Sequence, residues 1–68
     1  MNKIIKIENP GYPVEYHEGM TFLNGDYVSA RTQSRDKARR ISRPQIANQV
    51  VKILKSKLPN AKISIITA

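Results

Sequence analysis

Asn24-Gly25, set between Met20-Thr21-Phe22-Leu23 and Tyr27-Val28-Ser29-Ala30, restricts the fold more than any other stretch. A two-residue type I′ hairpin loop needs φ > 0 at both central positions, and Asn-Gly adopts that shape most readily. The flanking runs then pair as antiparallel strands. Phe22 faces Tyr27, Thr21 faces Val28, and the aromatic cross-strand pair helps to hold the register.

The hairpin needs partners, and the rest of the chain supplies them. Ile4-Ile5-Lys6-Ile7 is a β-branched run stopped by Asn9-Pro10-Gly11, which reads as a strand and a turn. Val14 to Glu18 alternates, with Val14 and Tyr16 on one side and Glu15 and His17 on the other, as in a half-buried strand. Gly19 interrupts it. Residues 31–41 are polar, basic and without a sustained period, so they read as a flexible loop with one helical turn between Ser34 and Arg40. Ser42-Arg43-Pro44-Gln45 is a helix start: Ser42 as cap, Pro44 in the first turn and Gln45 at the capping-box position. Ile46, Val50, Ile53, Leu54 and Leu58 draw one apolar stripe, flanked by Ala47 and Val51. Pro59-Asn60 ends the helix, and residues 62–67 form a last strand.

The expected architecture is therefore α+β. A small, mostly antiparallel sheet in the order β-β-β-α-β carries one amphipathic helix at about residues 43–58 on one face. The helix stripe would bury itself against the Ile-rich first and last strands, which are expected to lie near each other. Ile4 and Ile66 are expected as exposed edge residues open to strand pairing.

The 68 residues allow a single small domain, and such a chain buries only ~60% of its unfolded surface. That disfavours an enzyme with a deep cofactor pocket. There is no Cys, so disulfides, thiolate zinc sites and a cysteine nucleophile are excluded. No run approaches the ~18 apolar residues of a membrane span, and the N-terminus lacks a signal-peptide core. A soluble protein in the cytoplasm of a bacterial cell is the expectation. No catalytic set, metal site or cofactor is expected. His17, the one histidine, has no second ligand near it and reads as a surface residue. Glu15 and Glu18 point to opposite faces, and Gly11, Gly19 and Gly25 are scattered turn glycines rather than a phosphate loop.

Charge is where the chain is unusual. The net charge is +7 and the pI about 10.2. Residues 1–30 hold Lys3 and Lys6 against Glu8, Glu15, Glu18 and Asp26, whereas residues 31–57 set nine cations against Asp36 alone. Such asymmetry points to a polyanion partner. The binding candidates are Arg31, Arg35, Lys37, Arg39, Arg40 and Arg43 in and beside the loop, with Gln45, Asn48, Gln49, Lys52 and Lys55 on the outer helix face. Arginines beside a helix N-terminus suit a phosphate, and amides with lysines suit base edges and further phosphates. The plainer reading is a solvated surface that keeps the chain soluble.

Ile41-Ser42-Arg43-Pro44-Gln45-Ile46-Ala47-Asn48-Gln49-Val50 resembles the second half of a helix-turn-helix, with Ile41, Ser42, Ile46 and Val50 at the matching positions. That resemblance would make Arg43, Gln45, Asn48 and Gln49 groove-facing. The first half departs from the motif: Asp36 stands where a small residue is usual and Arg40 where the turn glycine falls. Residues 27–67 are also similar in style to short accessory proteins of phages and prophages of low-GC Gram-positive bacteria. The shared pattern is Tyr27-Val28-Ser29-Ala30, a charged loop to Ala38-Arg39-Arg40-Ile41, a helix, and a Leu58-Pro59-Asn60-Ala61 exit into a last strand. This implies an accessory role in a phage or mobile element.

Three functions fit these features. The first is a small nucleic-acid-binding module for DNA or RNA, anchored on the basic block. The second is a protein-binding modulator of a host or defence protein with an acidic surface, met by the same patch. The third is a structural piece of a ribonucleoprotein, disfavoured by four acidic residues in the first thirty. Short edge strands would also permit a homodimer.

Overall fold

The computed structural model describes residues 2–68. Four strands form one antiparallel sheet: β1 (Lys3–Glu8), β2 (Glu15–Leu23), β3 (Asp26–Thr32) and β4 (Lys62–Thr67). Helix α1 (Pro44–Lys57) lies between β3 and β4 in sequence, giving the expected β-β-β-α-β order. The spatial order is β3-β2-β1-β4. The two Ile-rich strands are therefore neighbours, with Ile5 opposite Ile65 and Ile7 opposite Ile63.

Local chemistry sets the turns. Asn9-Pro10-Gly11-Tyr12 closes through Tyr12 N–H donating to the Asn9 carbonyl at 3.0 Å, with Gly11 at φ 83°. Pro followed by a positive-φ Gly is the type II signature. Asn24 and Gly25 have φ of 52° and 80°, as a type I′ loop requires. Phe22 faces Tyr27 and Thr21 faces Val28, in the expected register.

Strand parity divides the sheet into two faces. Ile5 and Ile7 point to the helix side and pack with Ile41, Ala47, Val50 and Leu54, while Val51, Leu58, Ala61 and Ile63 border this core. Each fully buried large aliphatic side chain contributes about 1.5–3 kcal/mol. Ile4 points the other way. It is buried beside a crevice shared with Arg35, Asp36, Arg40 and Ala68. Ile4 is thus no edge residue, because β1 runs through the middle of the sheet. Ile66, half-buried on β4, does lie on an edge strand.

The helix occupies nearly the expected residues but is rotated. Its buried side chains are Ala47, Val50 and Leu54, whereas Ile46 is 45% exposed. The short Ala47 side chain lets this part of the helix face the sheet closely. The cap also differs from expectation. The N-cap residue is Arg43, and no side chain bonds the helix start, so neither Ser42 nor Gln45 takes the expected capping role. Pro44 does hold the first helical position.

Two further departures shape the surface. β2 continues through Gly19, with a bulge between His17 and Gly19. β3 runs on to Thr32, so Arg31 belongs to the sheet, opposite His17, and not to the loop expected over residues 31–41. Within that stretch only Arg35–Lys37 is helical, a single 3-10 turn. Residues 39–41 are extended and occupy the gap where β1 and β2 part. β1 pairs with β2 only at Lys6–Tyr16 and Ile7–Glu15. Nearer the start of β1, Arg39 N–H donates to the His17 carbonyl (2.8 Å). Ile41 exchanges two bonds with Lys3 (2.8 and 2.9 Å). A first helix of a helix-turn-helix is therefore absent among the described residues, and that resemblance ends at α1.

Candidate polyanion-binding surface

The wedge at residues 39–41 delivers the arginines to the start of α1. Arg39, Arg40 and Arg43 line one shallow depression together with Ile41, Ser42 and Ile46. An adjoining depression is bounded by Arg43, Gln45, Ile46 and Gln49. All of these residues except the buried Ile41 are solvent-exposed. Extended backbone at 39–41 and the bond from Arg39 N–H to His17 fix where the arginine side chains leave the main chain.

The electrostatics of this surface are one-sided. The ion pairs among the described residues are Lys6–Glu8, Arg31–Glu15 and Lys57–Asp26. None involves Arg39, Arg40 or Arg43. The first turn of α1 has no acidic residue, and no side chain caps it. The positive end of the helix dipole therefore adds to the arginine charge rather than being neutralised, although Pro44 has no N–H and the Ile46 and Ala47 N–H groups donate to the Arg43 carbonyl. At the other end, Lys55 and Lys57 in the last turn complement the dipole.

The remaining candidates divide by position. Gln45 and Gln49 sit beside the arginines. Lys52 and Lys55 are exposed farther along the helix. Arg40 also reaches the crevice on the opposite face that holds Arg35, whose Nη2 donates to the Thr67 carbonyl at 2.9 Å. Lys37 is exposed in the 3-10 turn. Asn48 is on the other flank of the helix, in a cleft with Lys3, Pro44 and Ile65. Arg31 stands apart on the edge strand β3, 3.9 Å from Glu15.

His17 differs most from its expected place. It is 2% exposed rather than on the surface. Its Nδ1 shares a 2.6 Å hydrogen bond with Ser29 Oγ, which satisfies a polar group that would be costly to bury alone. Burial, aided by the nearby Arg39 charge, holds its pKa below the ordinary 6.5. His17 is therefore neutral at pH 7 and adds nothing to the positive surface. The alternation at residues 14–18 is present, but Glu15 and His17 point to the helix side. Only the partner Ser29 would have revealed this, and its proximity depends on the hairpin register.

Sequence reasoning also left Met20 unassigned. It shares a depression with Arg39, Ile46 and His17 and so links the basic surface to the β2–β3 hairpin. Among the described residues no group of three His, Cys, Asp or Glu side chains is placed to hold a metal ion. None of the described helices is long and apolar enough to cross a membrane. No protein-family model matches the chain, and no curated protein or solved structure matches it significantly.

Proposed function

We propose that the chain is a nucleic-acid-binding module that grips phosphates with Arg39, Arg40 and Arg43 around the start of α1. The observation carrying this reading is that Arg39 and Arg43, neither in an ion pair among the described residues, flank one depression beside a helix N-terminus that no side chain caps, with Arg40 at its rim and reaching on to the opposite-face crevice. Phosphate is the anion such a geometry suits, because arginine forks bind it bidentately and the positive end of the helix dipole favours it. Gln45 and Gln49 extend the contact, and Lys52 and Lys55 continue the track along the helix. Arg35 and Lys37 lie on the side of the cluster reached through Arg40. An accessory role in a phage or mobile element belongs to the same proposal and rests on resemblance alone.

The test is the salt dependence of binding to a labelled polynucleotide, for the wild type and for Arg39→Ala/Arg40→Ala. Each phosphate contact contributes about 0.7–0.9 to the slope of log K against log salt. The double variant should bind more weakly, with a slope shallower by about 1.4–1.8. An unchanged slope would remove these arginines from the interface. Binding to an acidic protein with none to DNA or RNA would move the function to protein recognition by the same patch.

A further inference from the structure

The hairpin arm carries a feature the phosphate grip does not use. Phe22 and Tyr27 are 62% and 61% exposed, and their ring centroids are 5.1 Å apart in an edge-to-face pair. They are two of only four aromatic residues in the chain. Strand parity puts both on the helix side of the sheet, the side that also presents Met20. Met20 in turn shares its depression with Arg39. A continuous surface thus runs from Arg43 through Arg39 and Met20 to the two rings. From Met20 to Phe22 is two residues of strand, about 7 Å.

We infer that the Phe22–Tyr27 pair is a stacking platform for unpaired bases, so that the ligand of the proposed phosphate grip is single-stranded nucleic acid. The inference rests on the nucleic-acid reading above and sharpens it. Aromatic side chains interleaved with cations are the recurrent means of holding single strands, because every base offers a π-face and every nucleotide a phosphate. In a duplex those faces are hidden in the stack, and exposed rings find no partner. Charge separates this occupant from a second copy of the chain. Two copies, each at net +7 and each bringing to the same rim arginines that make no ion pair among the described residues, repel one another where a polyanion is attracted.

The test compares the wild type with Phe22→Ala, Tyr27→Ala and the apolar-conserving Phe22→Leu/Tyr27→Leu. Fluorescence anisotropy would follow a labelled oligothymidine and a duplex of equal length. Single-strand binding should exceed duplex binding. Loss of each ring should weaken it about 5- to 150-fold, the range of one base–aromatic stack. The salt slope should stay unchanged, because no phosphate contact is removed. As a readout independent of substitution, the ring proton signals of Phe22 and Tyr27 in the wild type should shift when the oligothymidine is added.

If the Leu variant binds the single strand as tightly as the wild type and the ring signals stay still, the stacking inference is wrong. Arg39→Ala/Arg40→Ala losing affinity in that same assay would leave the phosphate grip standing. If the wild type binds neither oligonucleotide, both readings fall. Sedimentation showing a wild-type dimer that Phe22→Leu/Tyr27→Leu dissociates would make this face a self-interface and overturn the inference.

Discussion

Ile41→Ala and Ile46→Ala remove the same atoms from neighbouring parts of the chain, yet the fold assigns them opposite costs. Ile41 is 7% exposed and packs among Ile5, Ile7, Ala47, Val50 and Leu54. Its backbone also exchanges two hydrogen bonds with Lys3. Truncating a buried Ile to Ala costs about 2–5 kcal/mol, part of it from the cavity left behind. A chain of this length has a total stability of only about 3–10 kcal/mol. Ile41→Ala therefore removes a large share of it. Ile46 is 45% exposed, so its truncation should cost about 1 kcal/mol or less. Urea unfolding followed by far-UV circular dichroism separates the two. With an m-value near ~1 kcal/mol/M, suited to a small domain, Ile41→Ala should lower the midpoint by about 2 M or more. Ile46→Ala should shift it by about 1 M or less. The helical stripe read from sequence assigns Ile46 to the core, and a larger loss at Ile46 than at Ile41 would refute both the wedge and the helix rotation.

Other parts of the fold respond just as specifically. His17 has a pKa below its ordinary 6.5 in the folded chain, so the unfolded chain takes up the proton first as pH falls. Stability is then full above about pH 6.5 and declines below it, which thermal melts across that range, paired with an NMR titration of the His17 ring, would reveal; a melting temperature flat from pH 7.5 to 5 would contradict it. Gly25 sits at φ 80° with open space around it, so Gly25→Ala should cost about 1–2 kcal/mol through backbone strain alone. Gly19 has equal space and no positive φ, and Gly19→Ala should be near neutral in the same melts.

What the sequence made legible follows from how local each signal is. Asn24-Gly25 fixes its own dihedrals, and with them the Phe22–Tyr27 register. Pro44 and Pro59 mark the helix ends because neither can sit in a helix interior without losing a bond. That β1 and β4 lie near each other was legible because both strands are rich in Ile and the helix stripe had to cover something, but the strand order was not. The helix rotation was not, since Ile46 and Ala47 differ by one position and only the contact with the sheet chooses between them. The wedge at residues 39–41 was hidden for a similar reason: it depends on β1 and β2 parting, which no local periodicity encodes. Among the site residues, Arg39 and Arg43 come together because they are close in sequence and both border the start of α1, while the extended backbone turns Arg40 toward the opposite-face crevice. Arg31 does not join them, because β3 carries it to the sheet edge opposite His17. From sequence the two rings read as hairpin fasteners, and as part of a stacking platform only if the sheet's outer face adjoined the basic block; the fold instead puts them on the helix side, in line with Met20 and Arg39.

The central claim is that the arginine cluster at the start of α1 is the binding surface. Adding a short single-stranded oligonucleotide to isotope-labelled protein and recording which backbone amides move in a two-dimensional NMR spectrum tests it most directly. The predicted result is large shifts at Arg39, Arg40, Arg43, Gln45 and Gln49, with those at Lys6 and Lys62, which parity places on the opposite face, unchanged. Shifts confined to that opposite face, or none at all, would contradict it.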